Sequence, residues 1–120
     1  MSNAKIFRTY LERFTSGDQA GVAELLTDDF RFYGPMLRSE GKAAFLDGSA
    51  QLVPFMRGAE IHRQWEDGDE ICSFYDFKIE TPAGVGSIPM AEWNTVRDGK
   101  LASARLIFDT AAMAALMPRP

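Results

Sequence analysis

The stretch DGDEICSFYDFKIETPAGVGSIPMAEWNTVRDG, residues 67–99, decides the fold. Asp67-Gly68 and Asp98-Gly99 bracket it. Asp-Gly is a strong two-residue hairpin signal, because the turn needs a positive φ at both central positions. Between the turns, residues 70–80 alternate: Ile71, Ser73, Tyr75, Phe77 and Ile79 fall on one face. Pro82-Ala83-Gly84 marks another turn. Residues 86–97 then form a second strand, with Met90, Glu92, Asn94 and Val96 sharing a face. Strands joined by such short turns lie antiparallel to each other. Outward from this pair, residues 101–108 read as the following strand and residues 61–66 as the preceding one. The alternation in 61–66 is weak, with Ile61, Arg63 and Trp65 as one candidate buried set. Four strands in a meander result.

Upstream the period changes from two to about 3.6. In residues 4–16, Ile6, Phe7, Tyr10, Leu11 and Phe14 make one apolar helical stripe, and Lys5, Arg8, Glu12 and Arg13 fall opposite. Gly17 stops this helix. Asp18 caps a short second helix ending near Leu26, with Val22, Leu25 and Leu26 on its buried side. Thr27-Asp28-Asp29 interrupts, and residues 30–33 read as a short strand ended by Gly34-Pro35. Ser39 caps a third helix through Ala43, Ala44, Phe45 and Leu46, ended by Pro54. Residues 110–117 form a small last helix with a proline-containing end. Helices segregated from an antiparallel sheet mean an α+β fold, read as one domain over residues 1–120.

Composition excludes several functional classes. Of the 120 residues, 46% are hydrophobic and 25% charged, the balance of a globular protein rather than a fibre or a disordered chain. Thirteen basic residues against 17 acidic ones give a net charge of -4. Such a surface repels phosphate backbones, so no nucleic-acid partner is expected. No apolar run reaches the roughly 18 residues of a membrane span, and the N-terminus shows no signal peptide. The single cysteine, Cys72, forms no internal disulfide, which points to a reduced, cytoplasmic protein. It falls opposite the apolar face of its strand and reads as a small, half-buried sheet residue rather than a nucleophile. His62 is the only histidine, and the adjacent side chains of Asp28 and Asp29 point apart, so no metal site is expected. Neither a phosphate-binding glycine loop nor a GxSxG elbow is present, and no cofactor is expected.

Four segments carry a family resemblance: Ser16-Gly17-Asp18, the Ala23–Phe30 run AELLTDDF, Asp98-Gly99-Lys100-Leu101, and Leu106-Ile107-Phe108-Asp109. Over about residues 4–110 the chain resembles the nuclear transport factor 2-like superfamily, and within it the SnoaL-like polyketide cyclase and ketosteroid isomerase branches most. The resemblance implies a cone, in which a strongly curved antiparallel sheet is packed on about three N-terminal helices. A concave apolar pocket would open between the first helix, the third helix and the sheet. It also implies binding of a small, mostly apolar, oxygen-bearing molecule, either with cofactor-independent acid-base chemistry (isomerase, cyclase, lyase or hydrolase) or as a non-catalytic binding or dimerisation module.

Residue by residue, Tyr10 falls where ketosteroid isomerases place an oxyanion-binding tyrosine. It is equally readable as a core tyrosine. Glu92 falls, within one residue, where they place a protonated aspartate. Beside Met90 and Val96 it is either a pocket carboxyl with a raised pKa or an edge carboxylate reaching solvent. Gly34 occupies the position of their aspartate base, which argues against ordinary steroid isomerisation. Asp109 matches a terminal acid of SnoaL-like chains, and it also suits an N-cap of the last helix. His62 is a further acid-base candidate whose face the weak alternation leaves open. The expected pocket lining is Tyr10, Tyr75, Phe77, Met90, Glu92, Asn94, Leu106 and Phe108, with Phe55 or Met56 closing one side. Phe74 and Trp93 lie on the opposite face, where this superfamily commonly pairs two subunits, so a homodimer through the sheet is expected.

Overall fold

In the computed structural model, which describes residues 1–117, helix α1 (Asn3–Thr15) opens the chain. The Ser2 side chain caps it by accepting from the Lys5 N–H, and its stripe of Ile6, Phe7, Tyr10 and Leu11 is buried. Helix α2 (Gln19–Ala23) follows, capped by the Asp18 carboxylate accepting from the Gly21 N–H. Strand β1 (Leu26–Tyr33), the short β2 (Arg38–Glu40), helix α3 (Lys42–Ser49) and a 3-10 turn (Ala50–Phe55) lead into the meander. That meander comprises β3 (Met56–Asp67), β4 (Glu70–Thr81), β5 (Gly84–Arg97) and β6 (Lys100–Phe108), and α4 (Thr110–Leu116) closes the described chain. The proline-containing end expected after this helix, at Pro118 and Pro120, lies outside the described residues. Among the described residues, no helix is long and apolar enough to cross a membrane.

The α+β architecture is the expected one, with helices packed on one face of a curved six-stranded sheet ordered β2-β1-β6-β5-β4-β3. Three features differ from the sequence reading. Helix α2 stops at Ala23, and Leu26 already belongs to a strand that pairs parallel to β6. Thr27-Asp28-Asp29 is therefore an irregular part of β1 rather than a connection, and Asp28 and Asp29 make ion pairs with Lys42 and Arg97. Ser39 sits in β2, not at a helix cap. Gly41 takes the cap position at φ 95, a backbone conformation that favours glycine. Finally, β3 carries a register shift between Ile61 and Arg63. An extra residue there reverses the alternation, so the expected set splits: Ile61 is half-buried, while Arg63 and Trp65 are exposed.

The faces of β4 and β5 follow the sequence pattern. Ile71, Ser73, Tyr75, Phe77 and Ile79 are buried on β4, and Ile88, Met90, Glu92, Asn94 and Val96 on β5. Cys72 is exposed on the outer face rather than half-buried. Phe45 of α3 anchors the aromatic core, with ring centroids 4.9 Å from Phe32, 5.1 Å from Phe30 and 5.9 Å from Phe14. Helix α4 docks through Leu116, whose Cδ1 would collide with a Cβ at Gly86, so glycine permits the close approach. The Thr81 hydroxyl donates to the Leu116 carbonyl and ties the same contact.

Candidate functional site

The helices and the inner sheet face enclose a cavity of about 250 Å³. Its wall includes the rings of Tyr10 and Phe14 from α1, Phe45 from α3, Tyr75 and Phe77 from β4, and Phe108 from β6. Methionines 36, 90, 113 and 117 fill between them. Among the described lining residues, Glu92 is the one carboxyl, and none is Lys, Arg or His.

The sheet register explains how a carboxyl comes to sit there. Glu92 on β5 lies opposite Ser73 of β4 and Leu106 of β6, so a small neighbour leaves it room. Its residue exposure is 2%. The Tyr75 hydroxyl lies 2.7 Å from Oε1, and Asn94 Nδ2 donates to Oε2 at 3.1 Å. Asn94 Nδ2 also donates to the Ser103 carbonyl at 3.3 Å. That carbonyl can only accept, which fixes the amide orientation and makes Oε2 an acceptor. As the bond stands, the Tyr75 hydroxyl donates to Oε1. A proton on a neutral Glu92 would sit on Oε1 and reverse that bond, and the Tyr75 O–H would then be free to donate elsewhere.

Burial pushes the Glu92 carboxyl above its ordinary value, partly offset by the hydrogen bonds from Tyr75 and Asn94. Burial, reinforced by the charge of Glu92, pushes the Tyr10 and Tyr75 phenols well above theirs. The cavity is thus furnished with hydrogen-bond donors in an apolar wall, suited to a ligand acceptor or a developing oxyanion.

Of the residues singled out from sequence, Tyr10, Tyr75, Phe77, Met90, Glu92, Leu106 and Phe108 line this cavity together. Met56, the alternative to Phe55, is buried in the core and does not line it. Four others also do not. Asn94 is fully buried and acts on Glu92 instead of facing the cavity. Phe55 packs half-buried against the core from the 3-10 turn, while Leu52 of that turn lines the cavity. Asp109 is exposed, and its Oδ1 accepts from the N–H groups of Ala111 and Ala112 at 3.0 and 3.3 Å, so it caps α4 rather than facing a substrate. Asp109→Ala should destabilise the fold by about 1 kcal/mol in denaturant unfolding, and Asp109→Asn by much less. Equal losses would contradict capping.

His62 is the fourth. The β3 bulge leaves it exposed on the outer face, with Nε2 3.0 Å from Asp76 Oδ2. Glu60 joins them so that one donor atom from each residue lies within 4.8 Å of the others, an open cluster the sequence reading did not anticipate. Phe14, Phe32, Phe45, Leu52 and Met113 are cavity residues that the sequence reading did not assign to the pocket. Phe14 was legible as part of the first helical stripe.

Residues 7–104 match the family described as the SnoaL-like domain. The chain belongs to the SnoaL-like domain family. Among curated proteins, none matches its sequence. Solved structures share the fold of this SnoaL-like domain at low identity. An NTF2-like protein of unknown function from Burkholderia pseudomallei K96243 is 19% identical, with a TM-score of 0.85 over 99% of this chain and 100% of that one. An LEH-like epoxide hydrolase from M. tuberculosis is 17% identical, with a TM-score of 0.82 over 95% and 88%. A putative SnoaL-like polyketide cyclase from Shewanella denitrificans OS-217 is 12% identical, with a TM-score of 0.82 over 95% of each chain. These likenesses establish the nuclear transport factor 2-like cone as the fold of this SnoaL-like domain. Gly34 lies on the cavity wall of this SnoaL-like domain and brings no carboxyl to it.

Proposed function

We propose that the cavity binds a small, mostly apolar molecule with a neutral oxygen function, held by Tyr10, Tyr75 and Glu92. The observation that carries this is a buried carboxyl 2.7 Å from a buried phenol, in a wall that, among the described residues, holds no other carboxyl and no cationic side chain. A ligand oxygen would take hydrogen bonds from Tyr10 and Tyr75, with the proton of Glu92 behind Tyr75. As an enzyme, the protein would use that proton for acid-assisted isomerisation, cyclisation or elimination. Binding without turnover is favoured by one further observation. Asp109 and His62 stand outside the cavity, and Gly34 brings no base to it.

Calorimetric titration with 2-tetralone and with tetralin, its hydrocarbon counterpart, tests the binding claim. The ketone should bind about tenfold tighter, the worth of a neutral hydrogen bond in a dry site. Equal affinities would contradict the donor role.

We further propose a homodimer through the outer sheet face, in a cytoplasmic protein that forms one domain over residues 1–120 and has no nucleic-acid partner. The single cysteine supports the cytoplasmic reading, and the net charge of -4 supports the lack of a nucleic-acid partner. Trp65, Phe74, Trp93 and Ile107 leave 50%, 44%, 48% and 67% of their surfaces exposed. Guanidinium groups of Arg38 and Arg105 stack on Tyr33 towards one edge of that sheet, while Glu60 and Asp76 sit towards the other. A two-fold axis through the centre would set basic over acidic ends. Light scattering should give a dimer that Trp93→Ala weakens, since interface tryptophans are frequent anchors. A monomer unchanged by the substitution would contradict this.

A further inference from the structure

Glu92 is a buried carboxyl whose surroundings suit its charge in every respect but one. Asn94 Nδ2, held in place by the Ser103 carbonyl, donates to Oε2 whether or not the acid is ionised. The Tyr75 hydroxyl at 2.7 Å can turn its proton onto Oε1. Both oxygens would then be satisfied as acceptors, as an ionised carboxylate requires. What is missing is a counter-charge. The groups around the site are Tyr10 from α1, Ser49 from α3, Gln51 from the 3-10 turn, Ser73 and Tyr75 from β4, and Asn94 from β5. Among the described residues, none at this site is cationic.

A ligand can supply that charge only under particular conditions. A metal ion would need several oxygen ligands, and the cavity offers a single carboxylate. A compact, strongly hydrated cation would lose its water shell to an apolar wall without replacement. An organic ammonium ion is weakly hydrated, and it is attracted by aromatic faces such as those of Tyr10, Phe14, Tyr75 and Phe77. Among the described wall residues, anions find no cationic partner.

We infer that the cavity also accepts a hydrophobic ammonium ion, held between the carboxylate of Glu92 and the aromatic ring faces. This rests on the reading of the cavity as the ligand site. It adds a second ligand class selected by protonation: a neutral oxygen compound uses the protonated carboxyl, and an ammonium ion uses the ionised one. The two classes must therefore respond to pH in opposite senses, because each binds one protonation state better.

Benzyltrimethylammonium carries a permanent charge, so any pH dependence of its binding belongs to the protein. Calorimetric titrations with this probe and with 2-tetralone, over the weakly acidic to weakly alkaline range, test the inference. The affinity for the ammonium should rise about tenfold per pH unit while Glu92 is protonated and level off once it is ionised. The affinity for 2-tetralone should fall over the same range. Glu92→Gln should remove the slope and weaken ammonium binding at least about tenfold, the loss of one close charge partner in a poorly solvated site. Glu92→Asp keeps the charge and should keep a slope, which guards against a folding defect in the glutamine variant. Ketone binding without ammonium binding at any pH would overturn the inference and leave the cavity reading standing. Equal ammonium affinity in the wild type and Glu92→Gln would overturn the role of the carboxylate. Binding of neither probe would overturn both readings.

Discussion

Replacing Glu92 by glutamine should change how stability depends on pH. The Glu92 carboxyl titrates above its ordinary 4.5 in the folded protein because burial disfavours its charge. At low pH the group is protonated in both the folded and unfolded chains, and its contribution to stability is full. As the pH rises from 4.5 through the raised folded value, the unfolded chain releases the proton more readily and stability is lost. The slope is at most about 1.4 kcal/mol per pH unit and flattens above the folded value. Glutamine has no proton to release and keeps the shape, so the difference between wild type and variant should move by that slope. Denaturant unfolding from about pH 4 to about pH 8 would show it. Parallel curves would contradict a buried, proton-bearing Glu92. Tyr10 and Tyr75 add a second loss at the alkaline end. Their folded values lie well above 10.0, so stability falls as the unfolded phenols begin to ionise.

Phe45→Ala should produce the largest loss of stability. Phe45 is 1% exposed and touches the rings of Phe14, Phe30 and Phe32, so truncation removes packing on three sides. The expected cost is about 3–5 kcal/mol, measured by urea unfolding. The void would also join the ligand cavity, whose wall Phe45 forms. A loss under about 1 kcal/mol would mean that the site collapses around the missing ring and that Phe45 is not its anchor.

Much of this site was legible because β4 and β5 alternate without interruption. The alternation assigns Tyr75 and Phe77 to the inner face of β4 and Met90 and Glu92 to that of β5, and all four are buried there. The failures have local causes. A single inserted residue near His62 reverses β3, and nothing in a polar strand announces it. The parallel pairing of β1 with β6 joins segments far apart in the chain, which no local period encodes. Ser39 and Gly41 compete as cap residues. The glycine takes the cap at a positive φ, and the serine joins a strand too short to show alternation. Asp109 was ambiguous because a carboxylate suits either a cap or a catalytic acid, and two N–H groups within reach hold it as a cap. Asn94 was correctly turned inward, but strand alternation cannot distinguish a side chain that faces the cavity from one spent on its neighbour.

The protonation of Glu92 is the point on which the ligand chemistry turns. Carbon-13 NMR titration of its side-chain carboxyl in the folded protein measures it directly, with assignment by comparison with Glu92→Gln. The account predicts a midpoint above the ordinary 4.5, raised further in Tyr75→Phe because the hydroxyl that favours the ionised form is gone. A midpoint at or below 4.5, unmoved by Tyr75→Phe, would contradict it.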